Sequence, residues 1–351
     1  MKWIKKGLII KANGQREWMN SHIQNPYAVL MGDKIRIYFT TRPAPSNGLF
    51  KSVTAYLDLD KNDLAKVINI SEEPILDFGN QGTFDEFGIM PGAVVKRTEK
   101  EYWLYYAGWK RTVSVPYDWS IGLAVSVDGG TTFSKYGEGP IMGVSYNDPY
   151  LLAAPRSVFI ENDIWHMLYG SGTGWIFENG RAESMYLNRH AVSEDGINWK
   201  RDDNYCVDTV YEDESQSACC NIKIGNTYHM FFPYRHSTNF RNKRRGYLIG
   251  YAYSKDLKNW TRNDKSVGIG LSSEGWDSEM ICYPHVIQIE DKIIMFYCGN
   301  AFGQGGLGYA ELDIPGGGVL HSRDINLIIQ IKCTPHSFKS NYESKQERKV
   351  A

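Results

Sequence analysis

The sequence has no run of about 18 or more apolar residues, no apolar segment of signal-peptide length behind its opening lysines (MKWIKKGLII), and no long stretch of 3.6-residue periodicity. The first two absences predict a soluble, cytoplasmic protein with no membrane partner. The third argues against a two-domain α/β fold. Charge of one sign is also lacking: 39 Lys and Arg against 40 Asp and Glu leave a formal net charge of −1, no global footprint for nucleic acid. The six cysteines (Cys206, Cys219, Cys220, Cys282, Cys298, Cys333) have no CxxC spacing, so they are expected to be reduced and buried as small hydrophobes. There is no HxH or HExxH pattern, and no metal or other cofactor is expected. GQGGLG at 303–308 leads from one strand into another, which removes the helix N-terminus that a phosphate cradle needs.

What is present is aromatic residues, 13% of the chain with 23 Tyr and 10 Trp, and a repeat. Residues 274–312 hold a polar lead-in and three strand-like runs. Apolar runs equivalent to its second strand recur as IRIYFTTR (35–42), EYWLYYAGWK (101–110), IWHMLYGSG (164–172), TYHMFFPYR (227–235) and IIMFYCGN (293–300). Each follows a hairpin partner across a short polar turn: NPYAVLM, PGAVVKR, PRSVFIE, CNIKIG and PHVIQIE. Three units end in an Asp-containing turn and an aromatic-led strand, with Phe133, Trp199 and Trp260 in the aromatic position and Asp128, Asp195 and Asp256 as turn formers. The fifth unit lacks such a strand, and KWIKKGLII supplies it, with Trp3 in the aromatic position. A unit of this size buries its faces only by stacking radially, and a closed ring leaves no free edge. The prediction is an all-β, five-bladed β-propeller over residues 1–313, with blades at about 21–76, 82–142, 148–207, 213–269 and 274–313 plus 1–10, the N-terminal strand closing the last. Residues 314–351 are expected to be a tail containing one strand-like piece, LIIQIKC (327–333).

In such a ring the loops before first strands and after second strands meet at one mouth. Glu86, Glu214 and Glu279 lie five residues before Pro91, Cys219 and Pro284, with Asp85 and Asp277 beside two of them. Acids brought to one funnel suit glycosidic bond cleavage, in which one carboxyl gives a proton and another, ionised, activates water or attacks the anomeric carbon. Glu279, Glu214, Glu86 and Asp85 are therefore the candidate catalytic residues. Asn25, Arg42, Trp109, Arg156, Arg235, His236, Asp277, His285 and Asn300 are the candidate substrate-binding residues. Each has a plainer reading: acids cap amides or pair with arginines, and aromatics at strand ends pack blades. The arginines, with Lys110, Arg111 and the RNKRR run at 241–245, suit an anionic or phosphorylated saccharide or inorganic phosphate.

The segments FDEFGIMPGAVVKRTEKEYWLYYAG (84–108) and WDSEMICYPHVIQIEDKIIMFYCGNAFGQGGLGYA (276–310) resemble the five-bladed propeller glycoside hydrolases, the superfamily of arabinanases, β-xylosidases, invertase-type fructosidases and mannoside phosphorylases. The resemblance implies a saccharide-binding funnel that works with Asp and Glu from different blades. Two positions depart from the arabinanase pattern: Asn25 stands before the proline of QNPY where those members carry an Asp base, and Ala153 stands in LAAPR in place of their Glu acid. The expectation is a glycoside hydrolase. The alternatives are a phosphorylase or transferase using a phosphate-bearing partner, and a sugar-binding propeller without catalysis.

Overall fold

The computed structural model describes residues 1–241 and 244–314. The strand-like piece at 327–333, the rest of the expected tail and Cys333 lie outside the described residues, as do Asn242 and Lys243 of the basic run. Strand β1 (Trp3–Ile10) comes first, and five blades follow in chain order, the last of which β1 joins. Blade one is β2 (Ser21–Met31), β3 (Lys34–Arg42), β4 (Val53–Asp60) and β5 (Asp63–Ile70). Blade two is β6 (Gly88–Lys96), β7 (Tyr102–Lys110), β8 (Asp118–Ser126) and β9 (Ser134–Lys135). Blade three is β10 (Leu152–Glu161), β11 (Ile164–Glu178), β12 (Arg181–Ser193) and β13 (Lys200–Tyr205). In blade four the inner strand is split into β14 (Glu214–Gln216) and β15 (Cys220–Ile224), both paired to β16 (Thr227–His236), and β17 (Leu248–Ser254) and β18 (Trp260–Arg262) complete it. Blade five is β19 (Cys282–Ile289), β20 (Lys292–Cys298) and β21 (Leu307–Leu312), closed by β1 from the other end of the chain.

The ring closes because each inner strand touches the next: β2 with β6, β6 with β10, β10 with β15, β15 with β19, and β19 with β2. Among the described residues the apolar core falls into five clusters, one at each blade–blade interface. This explains why the middle strands read as continuous apolar runs. β3 and β4 face a neighbouring blade on both sides and are buried along nearly their whole length, whereas outer β5 alternates with solvent. The closure expected at Trp3 is present, with its ring buried and its indole N–H donating to the Val267 carbonyl at 2.9 Å.

The three Asp turns share one local design. Ser126, Ser193 and Ser254 each bond the Asp two residues on, and that Asp accepts from backbone amides in the turn before the next strand. Blade one departs from the aromatic-led pattern, since β5 follows β4 directly across the turn at Lys61 and Asn62. In four inner strands the register slips around the proline, at Pro26, Pro91, Pro155 and Pro284, because proline has no N–H to give the ladder.

Candidate functional site at the funnel rim

The lead-in acids divide into two groups. Asp85 is fully buried and accepts from Lys135 Nζ at 2.7 Å and Tyr106 Oη at 3.0 Å. Asp277, 2% exposed, meets Lys5 Nζ at 2.6 Å and Tyr297 Oη at 2.9 Å. Asp148 takes the same place in blade three, with Arg201 at 2.6 Å, Arg189 at 2.8 Å and Tyr169 at 3.1 Å. Glu214, 2% exposed, accepts from Arg262 at 2.7 Å, Gln216 at 2.9 Å and the Val210 amide at 2.8 Å. In every case one base sits on the outermost strand of the blade, Asp148 having a second, Arg189, on the third strand, and in three of the four a second-strand tyrosine completes the clamp. Burial works to raise the Asp148 carboxyl, but hydrogen bonds from Ser171 and Arg201 and the Arg189 charge hold it below the usual range. Burial and the adjacent carboxylate push the phenols of Tyr106, Tyr169 and Tyr297 up.

Glu279 and Glu86 stand outside these clamps. Glu86 accepts the Gly82 amide at 2.7 Å within its own loop. Glu279 is half-buried and lines a cavity of about 260 Å³ with His22, Arg241 and Phe302. The loop that carries it is held by Asn300, whose Oδ1 accepts from the amides of Glu279 at 2.7 Å and Met280 at 3.0 Å. Asn300 thus positions Glu279 through the backbone.

A second cavity of about 320 Å³ is lined by Arg42, Trp109, Arg111, Tyr117, Trp119 and Arg181. Trp109 is seated against Gly88, where an added Cβ would lie 1.7 Å from the indole nitrogen, so only glycine admits the ring there. The two cavities are bridged by the β11–β12 hairpin, which turns at Asn179 and Gly180, both with positive φ as a type I′ turn requires. From this hairpin Glu183 accepts hydrogen bonds from Arg241 Nη1 at 2.6 Å and Nη2 at 3.2 Å, and lies 3.4 Å from Arg181 Nε. On the other side Ser184 Oγ is 3.0 Å from Tyr117 Oη, and Tyr117 stacks on Trp119 with centroids 4.8 Å apart. Burial first, and then the charge of Arg42, lower the His22 imidazole to about 4, so it is neutral at pH 7.

The remaining candidates are dispersed. Arg235 is buried beneath the rim, donating to the Ser184 carbonyl at 3.1 Å and Tyr186 Oη at 3.3 Å, with its guanidinium 3.7 Å from the Phe240 ring centre. His236 Nδ1 lies 2.7 Å from Asp213, which also takes Arg245 at 2.6 Å. Two arginines of the basic run, Arg241 and Arg245, therefore pair within the fold. Asn25 has positive φ at the register slip before Pro26, and Met90, Ala154 and Tyr283 precede the matching prolines, so none of these four positions carries an acid. Arg156 and His285 line a separate cavity toward the far ends of the inner strands. Among the described residues no three His, Cys, Asp or Glu side chains converge as a metal site, and no helix is long and apolar enough to cross a membrane.

Sequence reasoning missed Tyr117, Trp119, Arg181 and Glu183. The one local signal for the last two was the Asn179-Gly180 pair, a hairpin dipeptide between two apolar runs.

The fold resembles that of solved structures described as glycoside hydrolases. A solved structure described as "Glycoside hydrolase" matches with a TM-score of 0.70 over 91% of this chain and 94% of its own, at 17% identity. A thermostable family-43 glycoside hydrolase matches with 0.62 over 85% and 91%, at 15% identity. A structure from work on the GH130 family of mannoside phosphorylases matches with 0.62 over 91% and 96%, at 16% identity. At these identities the likeness is one of fold. No family model matches the chain. Two proteins of Mycobacterium tuberculosis, "Uncharacterized protein MT1551" (strain CDC 1551 / Oshkosh) and "Uncharacterized protein Rv1502" (strain ATCC 25618 / H37Rv), are each 33% identical to it over 89% of this chain and 100% of their own length. The chain belongs to the family of these two proteins.

Proposed function

We propose that this protein is a carbohydrate-active enzyme that cleaves a glycosidic bond of an anionic saccharide at the funnel rim. The observation that carries the reading is the juxtaposition of an arginine and aromatic cleft (Arg42, Arg111, Arg181, Trp109, Trp119) with a second cleft that holds Glu279. Aromatic faces suit sugar rings, and guanidinium groups suit the carboxylate or phosphate of a sugar acid or sugar phosphate. In this reading Glu279 gives its proton to the leaving oxygen as the glycosidic bond breaks, water bonds to the anomeric carbon, and the proton that water releases restores Glu279 through solvent. Arg241, tied to Glu183, lines the same cleft. Asp85, Glu214 and Asp277 serve as blade clamps, because each is consumed by a buried base. Neither Glu86, bonded within its loop, nor Asn25 acts as acid or base.

A second reading is favoured by the ratio of arginines to acids. Phosphorolysis needs one protein acid, since phosphate itself attacks the anomeric carbon, and the rim supplies one committed acid beside several guanidinium groups. The test is a glycan array with neutral, uronate-bearing and phosphorylated oligosaccharides, followed by product analysis of each bound glycan with and without inorganic phosphate. New reducing ends without phosphate support hydrolysis, and a sugar 1-phosphate supports phosphorolysis. Binding without turnover leaves a sugar-binding propeller. Failure to retain any glycan would refute the saccharide reading.

A further inference from the structure

Arg156 lies on β10, one residue past Pro155, and is 1% exposed. Its side chain leaves blade three and crosses the ring centre, where Nη2 donates to the carbonyls of Tyr283 and Pro284 at 3.4 Å each and to that of Pro26. Nε and Nη1 are buried with no hydrogen-bond partner among the described residues, and no carboxylate pairs with this guanidinium. A buried charge without a counter-charge is among the costliest features a fold can carry. Arg36, Arg189 and Arg262 have carboxylate partners in Asp58, Asp148 and Glu214, and Arg235, which like Arg156 has none among the described residues, donates through both Nη1 and Nη2 and lies 3.7 Å from the Phe240 ring centre.

The guanidinium borders a cavity of about 430 Å³ that opens between blades three and four at the face opposite the funnel. Its walls bring further donors. Ser157 Oγ donates to Asn221 Oδ1, which orients the Asn221 amide nitrogen as a free donor type. His285 Nδ1 accepts the Ala28 amide at 3.2 Å, so its neutral ring carries the proton on Nε2. At the outer end Glu161 and Lys223 pair with one another, so neither compensates Arg156.

We propose that the central channel is a binding site for a small monovalent anion of the halide class, held by the Nε and Nη1 groups of Arg156 in the cavity shared with Ser157, Asn221 and His285. The anion completes the electrostatics of the ring centre and stands apart from the saccharide reading of the funnel. Its effect is on stability, because it binds the folded ring and has no site in the unfolded chain.

Bromide is the probe. Crystals of the full chain soaked in sodium bromide are expected to show anomalous density against Arg156 Nε or Nη1. In solution, replacing gluconate by bromide at constant ionic strength is expected to raise Tm saturably, by about 3 °C. Arg156→Gln abolishes both signals. Because that variant risks misfolding, Asn221→Asp is the second arm: it keeps the bond from Ser157, supplies a resident carboxylate, and removes the bromide increment without lowering Tm in gluconate. Bromide density at other sites with only water at Arg156 overturns the proposal. So does a bromide increment that persists undiminished in Asn221→Asp.

Discussion

Asp277, which leads into an inner strand, and Glu279, at the rim, are two residues apart in the repeat, yet they are held in different ways. Asp85, Asp148, Glu214 and Asp277 are each buried against a base from the outermost strand of their own blade. Glu279 faces a cavity, and Glu183 is shared between Arg181 of its own strand and Arg241 of a loop in the next blade. Recurrence marks a structural need that four of the blades share. A four-stranded sheet that twists around an axis gains from tying its first loop to its last strand, and a buried carboxylate against a base does so in blades two to five, with a tyrosine completing the clamp in blades two, three and five. Chemistry has to come from what the blades do not share.

Replacing Glu279 by Gln separates the two classes most strongly: turnover on a glycan identified by the array should fall by about 10²- to 10⁴-fold. Stability should stay within about 0.5 kcal/mol. The opposite pattern is expected for Asp148→Ala, which leaves two guanidinium groups without their carboxylate. Chemical denaturation should show a loss of about 3–5 kcal/mol. An Asp148 variant as stable as the parent would break the clamp account.

Much of this contrast was legible in the sequence, though unevenly. The Ser126–Asp128, Ser193–Asp195 and Ser254–Asp256 turns were readable because their hydrogen bonds lie within a few residues. The closing strand was readable from Trp3, because the missing strand of the fifth unit and the spare strand at the N-terminus match. Equal offsets also located the lead-in acids, but spacing reports equivalence and does not say which way an equivalent side chain points. That depends on Lys135, Arg201, Arg262 and Lys5, which come from strands far along the chain. The rim was least legible, since Glu183 and Arg241 are 58 residues apart and come from segments that no other blade repeats.

A smaller effect sharpens the rim itself. Arg181→Met should weaken binding of a uronate-bearing glycan about tenfold while leaving a neutral analogue unchanged, since a charge-assisted hydrogen bond is worth about 1.5–3 kcal/mol. Calorimetry on the two ligands measures the difference. Equal losses for both would mean that Arg181 shapes the cleft and does not read charge.

The smallest effect concerns pH. Burial, then the Arg42 charge for His22 and the Lys255 charge for His229, lowers both imidazoles to about 4. The unfolded chain takes up protons below about 6.5, and the native protein resists until about 4. Stability is therefore level above about pH 6.5 and declines as pH falls from there toward 4. His22→Gln should flatten that slope, as measured by Tm against pH. A steeper slope in the variant would contradict the assignment.

The central claim is that saccharide chemistry belongs to the irregular rim and that the recurring acids serve the blades. A structure with an oligosaccharide chosen from the array tests it most directly. The prediction is a sugar ring in the funnel mouth with its glycosidic oxygen within hydrogen-bond reach of Glu279 and its anionic group against Arg42 or Arg181. A bound ring whose nearest acid is Asp85, Glu214 or Asp277 would contradict it.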